Sequence, residues 1–280
     1  MYYYIVDTSK LTQRQFDRVQ QELYSSIADY HIPGEIVRTT GIRTIKQLVE
    51  TAFFHQAKTI VAVGTDETLD SIINIVGDRP MIIGYIPLVA TELAKAFGIA
   101  SISQACKALG LRRVEEIDLG VVNGISFLTK LTFGLDLKGK DSFDFFGLGF
   151  IKQLINKPTF QVSFNADHYH ADSEVWGGLI INCQNHKCDK TLGKPTDGLL
   201  DVVLVPKLSR SELFSHRRNI LDGCFEKVPG ASIMHLAALE ITNLSGLPLK
   251  IESTEVTSTP AKIEVKPKAL KMIVGRERKF

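Results

Sequence analysis

The sequence lacks any apolar segment that approaches the roughly 20 residues needed to cross a bilayer, so no membrane-spanning helix is predicted. It also lacks an excess of one charge, because 33 basic and 31 acidic side chains leave a formal net charge of +2. Nothing in that overall balance demands nucleic acid or a membrane as a partner. The first ten residues show no positive segment followed by a long apolar run, so we expect no secretory signal peptide and a cytoplasmic protein.

Cysteine is scarce as well. The four cysteines, Cys106, Cys183, Cys188 and Cys224, show no dense disulfide spacing, so reduced thiols are expected. The sequence contains no internal repeat and no low-complexity segment. Its 280 residues are 44% hydrophobic and 23% charged. That composition is typical of globular proteins and sufficient for two cores of moderate size.

The first half of the chain alternates between strand composition and helical spacing. Tyr2 to Val6 and Met81 to Ile86 have the apolar composition of buried strands. Between such segments, apolar residues recur three and four positions apart, as in helices that Thr12 and either Thr40 or Thr44 can begin. This alternation predicts an α/β domain with a parallel sheet and helices on both faces.

Strand composition dominates the second half, from about Ser126 onward, and two helical stretches interrupt it at Phe150 to Ile155 and Ser209 to Leu221. Turn residues such as Asp167 to His170 separate the strands. We predict an antiparallel β-sandwich over 125–267. The α/β domain then comprises 1–124, completed by a C-terminal strand within 268–280.

The stretch from Ile60 to Asn74 combines a buried strand, a polar turn and the start of a helix. Four apolar residues lead into Gly64-Thr65-Asp66-Glu67-Thr68, and Leu69, Ile72 and Ile73 then follow at helical spacing. A helix N-terminus offers unpaired amides and a partial positive charge. The sequence therefore predicts a phosphate-binding turn here.

These residues resemble the diacylglycerol kinase catalytic domain family of bacterial-type lipid kinases. The counterpart of the family's G-G-D-G-T-L-N loop is the segment Gly64 to Asp70, and that of P-L-G-T-G-N-D-F-A-R-A-L-G is Pro87 to Gly98. Three further segments match in order: Ile117 to Gly124, Thr196 to Val202 with the family's D-D-G-x-L-D-V turn, and Pro267 to Leu270 with its closing strand. The resemblance covers nearly the whole chain.

The resemblance implies a kinase that moves the γ-phosphoryl group of ATP to the hydroxyl of a diacylglycerol- or sphingoid-type lipid at a membrane surface, with Mg²⁺. It leaves a homodimer open. The implied catalytic residues are Asp66 and Glu255. The implied nucleotide contacts are Thr40, Gly64, Thr65, Asp66, Glu67, Thr68 and Thr91. A structural metal in the sandwich is implied at Asp197, with the backbone carbonyls of Lys194 and Leu199.

Each implied role has a plainer alternative. Asp66, Thr40 and Thr91 can each cap a helix instead of contacting a ligand. Asp197 can be a turn aspartate that bonds its own backbone. Glu255 stands one residue beyond the family's catalytic glutamate position, and a slip of one residue in a strand points a side chain to the other face.

Two loops also depart from the family: the segment Gly64 to Asp70, here called the main loop, and the segment 7–10, here called the first loop. Thr65 and Glu67 replace glycines, and the family's N-P-x-S-G loop is matched only by the segment 7–10, which begins with Asp7. A glycine allows positive φ and close approach of backbone amides to phosphate. Glu67 places an anion where another anion would dock, unless Mg²⁺ lies between them. The sequence thus leaves open a pseudokinase that binds nucleotide, lipid or a protein partner without turnover. A kinase with another acceptor, as in the related NAD kinases, is a third alternative.

Overall fold

The computed structural model describes residues 1–9, 11–134, 159–166, 169–184, 192–243, 245–251 and 254–280. The predicted helix at 150–155, the first two residues of the predicted turn at 167–170, and Glu252 lie outside these ranges. The chain forms two compact units, one of Met1–Asp118 with Pro267–Phe280 and one of Leu119–Lys266. The domain boundaries expected from the sequence, at 124 and 268, stay a prediction. None of the helices in the described ranges has the length and apolar character needed to span a membrane.

The first unit alternates strands and helices. Its elements are β1 (Tyr2–Val6), α1 (Gln13–Asp29), β2 (Gly34–Arg38), α2 (Ile45–Phe54), β3 (Thr59–Gly64), α3 (Asp66–Val76), β4 (Ile82–Pro87), α4 (Glu92–Ala96), α5 (Ile102–Leu111), the first part of β5 (Val114–Val122) and the end of β15 (Ala261–Ile273). The strands lie in the order β15-β4-β3-β1-β2, and each neighbouring pair is parallel. The predicted α/β domain with a parallel sheet is confirmed.

Local sequence explains where these helices begin. Thr12 and Thr44 precede α1 and α2, and each accepts a hydrogen bond from the amide three residues on while a glutamine closes a capping box. Thr91 accepts the Ala94 amide and so caps α4. Every residue of β3 is buried, as expected of a central parallel strand.

The second unit is antiparallel. Its elements are β6 (Ile125–Phe127), β7 (Lys130–Phe133), β8 (Phe160–Ala166), β9 (Tyr169–Ile181), β10 (Leu200–Pro206), α6 (Arg210–Asp222), β11 (Ser232–Leu236), β12 (Ala238–Thr242), β13 (Pro248–Ile251) and β14 (Thr254–Ser258). The order is β14-β13-β7-β9-β8-β12-β15, and β10 pairs with both β9 and β11. The predicted antiparallel sandwich is confirmed.

Two buried apolar clusters lie on opposite faces of β10. Val202 and Leu204 belong to the cluster between the sandwich strands, whereas Val203 and Val205 belong to the cluster that also includes Leu213 of α6. Cys106 and Cys183 are buried free thiols. Cys224 is disulfide-bonded, so the expectation of reduced thiols is wrong for this residue.

Candidate functional site

The polar residues of the first unit converge where its parallel strands end. Asp7 follows β1, Thr39 follows β2, and Gly64 ends β3. Three backbone bonds lock these ends together: the Asp7 amide donates to the Val63 carbonyl, the Thr39 amide to the Val6 carbonyl, and the Leu88 amide to the Gly64 carbonyl, at 2.9, 2.9 and 3.0 Å. The carboxyl edge of an open parallel sheet is where α/β proteins bind ligands.

Through its carboxylate, Asp7 connects the end of β1 with the end of β2 and with the first turn of α3. Oδ2 accepts the Thr68 hydroxyl at 2.8 Å, and Oδ1 accepts the Ser9 amide at 3.0 Å and the Thr39 hydroxyl at 3.3 Å. Burial alone would raise the pKa of the Asp7 carboxyl, but the hydrogen bonds from Ser9, Thr68 and Thr39 together outweigh burial and hold that pKa below its usual value. Asp7 is therefore a carboxylate at neutral pH.

Two hydroxyl groups, from Tyr85 and Thr91, fix the carboxylate of Asp66. Its Oδ1 accepts the Tyr85 hydroxyl at 2.7 Å and the Thr91 hydroxyl at 2.9 Å. The interpretation of Asp66 as a helix cap is wrong, because Thr65 is the N-cap and Asp66 is the first residue of α3. A carboxylate in the first turn is stabilised by the helix dipole. Thr91 caps α4, as one of its two interpretations predicted, and it also contacts Asp66. Its nucleotide contact stays a prediction.

The turn itself is filled by the side chain of Thr68. The Thr68 hydroxyl accepts the Thr65 amide at 3.2 Å while it donates to Asp7. A Cβ atom added to Gly64 would lie 2.5 Å from Thr68 Oγ1, so only glycine leaves room for this side chain at the end of β3. Thr65 has an extended backbone with φ −94°, a conformation that threonine adopts without strain. The replacement of the family's glycine by Thr65 therefore causes no backbone strain.

Thr40 has a structural role in the loop before α2. Its hydroxyl accepts the amides of Ile42 and Arg43 at 3.4 and 3.0 Å, and its own amide donates to the Arg43 carbonyl. Thr44, not Thr40, begins the helix. The expected nucleotide contact of Thr40 stays a prediction.

In the second unit, Asp197 lies in an exposed turn. Its Oδ1 accepts the Leu199 amide at 3.0 Å, the self-bonded turn that the sequence offered as the alternative to a metal. No group of three acidic, histidine or cysteine side chains in the described ranges could hold a metal ion. The metal set of Asp197 with the carbonyls of Lys194 and Leu199 stays a prediction.

A second carboxylate lies beside that turn. Asp201 on β10 is buried and bonds His235 Nδ1 of the paired strand β11 at 2.6 Å. Burial raises the pKa of Asp201, although the Gly193 amide and His235 act in the opposite direction. Asp201 belongs to the Leu-Asp-Val segment of the family motif, but its partner His235 carried no sequence signal.

Glu255 lies on β14, where it is exposed and opposite Lys250 of β13. The register of the two strands shifts between Leu249, which pairs with Thr257, and Lys250, which pairs with Glu255. Such a β-bulge inserts one residue into a strand and changes the direction of the side chains beside it. The extra residue is Val256, whereas Thr254 and Glu255 pair regularly with Ile251 and Lys250, so their side chains point to opposite faces of the strand. The catalytic role of Glu255 stays a prediction.

Comparisons with known proteins agree with this architecture. The family model described as the diacylglycerol kinase catalytic domain matches residues 5–122, and the model described as the YegS C-terminal NAD kinase beta sandwich-like domain matches residues 192–274. The chain belongs to the diacylglycerol kinase/YegS-like family. A comparison with curated proteins gave no significant match.

Three solved structures from Bacillus anthracis str. Sterne share the fold. Two, provisionally assigned as diacylglycerol kinases, have TM-scores of 0.78 and 0.79 with 19% and 18% identity, and a third, titled a diacylglycerol kinase, has a TM-score of 0.74 with 16% identity. In each case the alignment covers 99% of this chain, and it covers 97%, 98% and 98% of the three other chains. At these identities the likeness is one of fold.

Sequence reasoning missed Asp7, Thr39 and Tyr85 as members of the site. Asp7 and Thr39 each stand directly after a strand, and Tyr85 lies near the end of β4. The position of polar residues at the carboxyl ends of parallel strands was the signal that could have found the first two. Tyr85 lies within an apolar strand and gave no such signal.

Proposed function

We propose that this chain is an ATP-dependent lipid kinase that transfers the γ-phosphoryl group to the hydroxyl of a diacylglycerol- or sphingoid-type lipid. One observation supports this most directly: Asp66 is held at the first turn of α3 by Tyr85 and Thr91. An aspartate so oriented, beside the N-terminus of a helix and the ends of parallel strands, is suited to a metal–nucleotide ligand. Family membership supports the reaction class.

The donors at this edge of the sheet suit Mg²⁺ with ATP. Magnesium prefers oxygen ligands and is usually bound by one or two carboxylates together with substrate phosphates. Asp66 would hold the ion, Glu67 lies next to it in the same helical turn, and the main loop would receive the phosphates. When bound, Mg²⁺ neutralises charge on the transferred phosphoryl group. Asp66, positioned by Tyr85, orients the nucleotide relative to the helix.

Glu255 is our proposal for the general base that accepts the proton of the lipid hydroxyl. A carboxylate within reach of the hydroxyl can remove its proton as the phosphoryl group transfers. The place of Glu255 on β14, one residue beyond the position of the family's catalytic glutamate, supports this role.

A pseudokinase is the second candidate, and the carboxylates of the loops favour it. Asp7 and Glu67 add two negative charges at positions where the family's loops have asparagine and glycine. Unit charges about 4 Å apart repel by roughly 4 kcal/mol at an effective dielectric of 20. In addition, the Thr65 amide is bonded to Thr68. Such a site would bind a lipid, a nucleotide or a protein without turnover.

Calorimetry with ATP, in the presence and absence of Mg²⁺, is the first test. We expect Mg²⁺-dependent binding that Asp66→Ala removes and that Asp29→Ala, an exposed carboxylate at the end of α1, leaves unchanged. If the wild-type protein binds no ATP under either condition, the kinase proposal is wrong.

Turnover distinguishes the two candidates. The protein is incubated with γ-labelled ATP and a total lipid extract, and labelled lipid is separated by chromatography. A labelled lipid product supports the kinase, and Glu255→Gln should then lower turnover while leaving ATP affinity intact. Bound ATP without a labelled lipid supports the pseudokinase.

A further inference from the structure

The loop that joins β2 to α2 presents an isoleucine to solvent among cations. The segment 38–46 reads Arg-Thr-Thr-Gly-Ile-Arg-Thr-Ile-Lys and contains three basic residues and no carboxylate. Ile42 is 86% exposed, the highest value among the exposed large apolar side chains of the described residues. Arg43 and Lys46 are also exposed. Neither forms an ion pair with a carboxylate within the part of the chain that the structure describes.

The exposure of Ile42 is imposed by a defined turn. The Thr40 amide donates to the Arg43 carbonyl at 3.0 Å, and the Thr40 hydroxyl accepts the amides of Ile42 and Arg43. These bonds fix the backbone on both sides of Ile42. The apolar side chain is therefore held outward at the apex of the loop and does not fold back onto the core.

A second apolar side chain projects from the same edge of the same sheet. Val89, in the loop between β4 and α4, is 67% exposed. This loop and segment 38–46 both follow the carboxyl ends of parallel strands, and the polar residues Asp7 and Asp66 belong to the strand ends between them. A single exposed apolar residue needs no explanation. Two exposed apolar residues beside a candidate site, one of them in a segment with three basic residues, do need an explanation.

We propose that segment 38–46 and Val89 form a docking surface for an anionic lipid bilayer, with Ile42 inserted below the headgroups and Arg43 and Lys46 against them. Apolar tips bordered by basic residues match the chemistry of such an interface, an apolar interior beneath negative headgroups. This surface rests on the proposed function in that it would bring the candidate site to the lipid, but its binding to vesicles can be measured without any reaction.

The charge distribution favours a bilayer over nucleic acid. The net charge of the whole chain is only +2, so segment 38–46, with three basic residues and no carboxylate, is far more basic than the chain as a whole. Nucleic acid is bound chiefly by cations that follow the phosphate backbone, and an inserted aliphatic side chain adds nothing to such contacts. The exposed Ile42 side chain adds to the binding free energy only if binding moves it from water into an apolar environment.

Sedimentation with vesicles tests the proposal. The full-length protein is mixed with vesicles of phosphatidylcholine alone or of phosphatidylcholine with phosphatidylglycerol, at low and high salt. We expect binding only to the anionic vesicles and weaker binding at high salt. Arg43→Gln/Lys46→Gln should weaken binding by about 25-fold, since each cation near an anionic surface contributes roughly fivefold. Ile42→Ser should weaken it about tenfold or more.

Phe54→Ser is the matched control. Phe54 is 83% exposed at the opposite end of α2, so it tests exposure of a large apolar residue away from this loop. Unchanged binding by Phe54→Ser, with loss by Ile42→Ser, supports the proposal. Three results overturn it: no vesicle binding by the wild type, equal binding to neutral and anionic vesicles, or equal loss by the two serine variants.

The outcome is separable from that of the proposed function. Calorimetry with Mg²⁺ and ATP is run on the Ile42→Ser protein, which should bind nucleotide like the wild type. Vesicle binding without nucleotide binding would uphold the docking surface and reject the kinase. Nucleotide binding without vesicle binding would reject the docking surface and leave the kinase proposal to be decided by turnover.

Discussion

The Thr68 hydroxyl donates a 2.8 Å hydrogen bond to Asp7 Oδ2, although 61 positions separate the two residues in the sequence. The same oxygen of Thr68 accepts the Thr65 amide. One buried hydroxyl thus connects the end of β1, through Asp7, with the N-terminus of α3. It joins the first loop and the main loop of the candidate site into one hydrogen-bonded unit.

Removing that hydroxyl should therefore destabilise the first unit. Thr68→Val keeps the shape of the side chain but leaves the Asp7 carboxylate with one donor fewer, which costs about 1–3 kcal/mol of unfolding free energy. Urea denaturation followed by circular dichroism measures it. Thr51→Val is the control, because the Thr51 hydroxyl bonds the Gln47 carbonyl within its own helix. Equal stability of the two variants would contradict the role given to Thr68.

The lowered pKa of Asp7 predicts a specific pH dependence of stability. Burial opposes ionisation, but the bonds from Ser9, Thr68 and Thr39 outweigh burial, so the pKa is lower in the folded chain than in the unfolded one. Stability from this group is present above the unfolded pKa of about 3.9 and is lost as the pH falls through the folded pKa.

Asp7→Asn isolates this contribution. The wild type should be more stable than the variant at neutral pH, and the difference should shrink as the pH falls from about 5 towards 3. Urea denaturation at a series of pH values measures the difference. A gap that stays constant across that range would show that the carboxylate of Asp7 is not the source.

The two added carboxylates of the loops predict a gain of nucleotide affinity on their removal. Asp7→Asn with Glu67→Gly removes two negative charges and introduces at those positions the residue types of the family. If these charges repel phosphate, the affinity for ATP with Mg²⁺ should rise about tenfold or more, as calorimetry would record. Asp29→Asn provides the control for loss of a carboxylate elsewhere. An unchanged or lower affinity would show that these carboxylates do not oppose phosphate binding.

The parts of the fold that could be predicted from the sequence depend on local patterns. Capping chemistry within four residues predicts the helix start at Thr12 and narrows the next start to Thr40 or Thr44, of which the structure has Thr44. The buried strand at β3 follows from its continuous apolar composition. The contact between Asp7 and Thr68 could not be predicted in this way. It depends on the strand order β4-β3-β1-β2, which places the ends of β1 and β3 side by side.

The orientation of single side chains was also beyond the sequence. Asp66 appeared equally suited to a cap or a ligand, and the hydroxyls of Tyr85 and Thr91 in the structure show which way its carboxylate points. Glu255 illustrates the same limit, because a bulge changes strand register by one residue and no residue of β14 signals it by type. A shift of one residue leaves the predicted strand or helix in place, but it changes which side chains point into the site.

Lys268 offers a prediction about stability where β15 approaches β5. Its φ is +54°, in the left-handed region, and its amide donates to Asp118 Oδ1 at 2.7 Å, a carboxylate that is 1% exposed. The left-handed conformation costs a side chain with a Cβ about 1–2 kcal/mol, and glycine adopts it freely. Lys268→Gly keeps the amide bond to Asp118, so it should raise the unfolding free energy by about 0.5–1 kcal/mol after the greater chain entropy of glycine is subtracted.

Lys266→Gly tests this explanation two residues earlier in the same strand. Lys266 does not have a positive φ, so glycine relieves no strain there and brings its entropic cost, and stability should fall by at least about 0.5–1 kcal/mol. Opposite signs for the two glycine variants in urea denaturation would confirm that strain at Lys268 is relieved. A loss of stability in both would mean that the bond to Asp118 already compensates the left-handed backbone, and Asp118→Asn combined with Lys268→Gly would then measure the coupling between them.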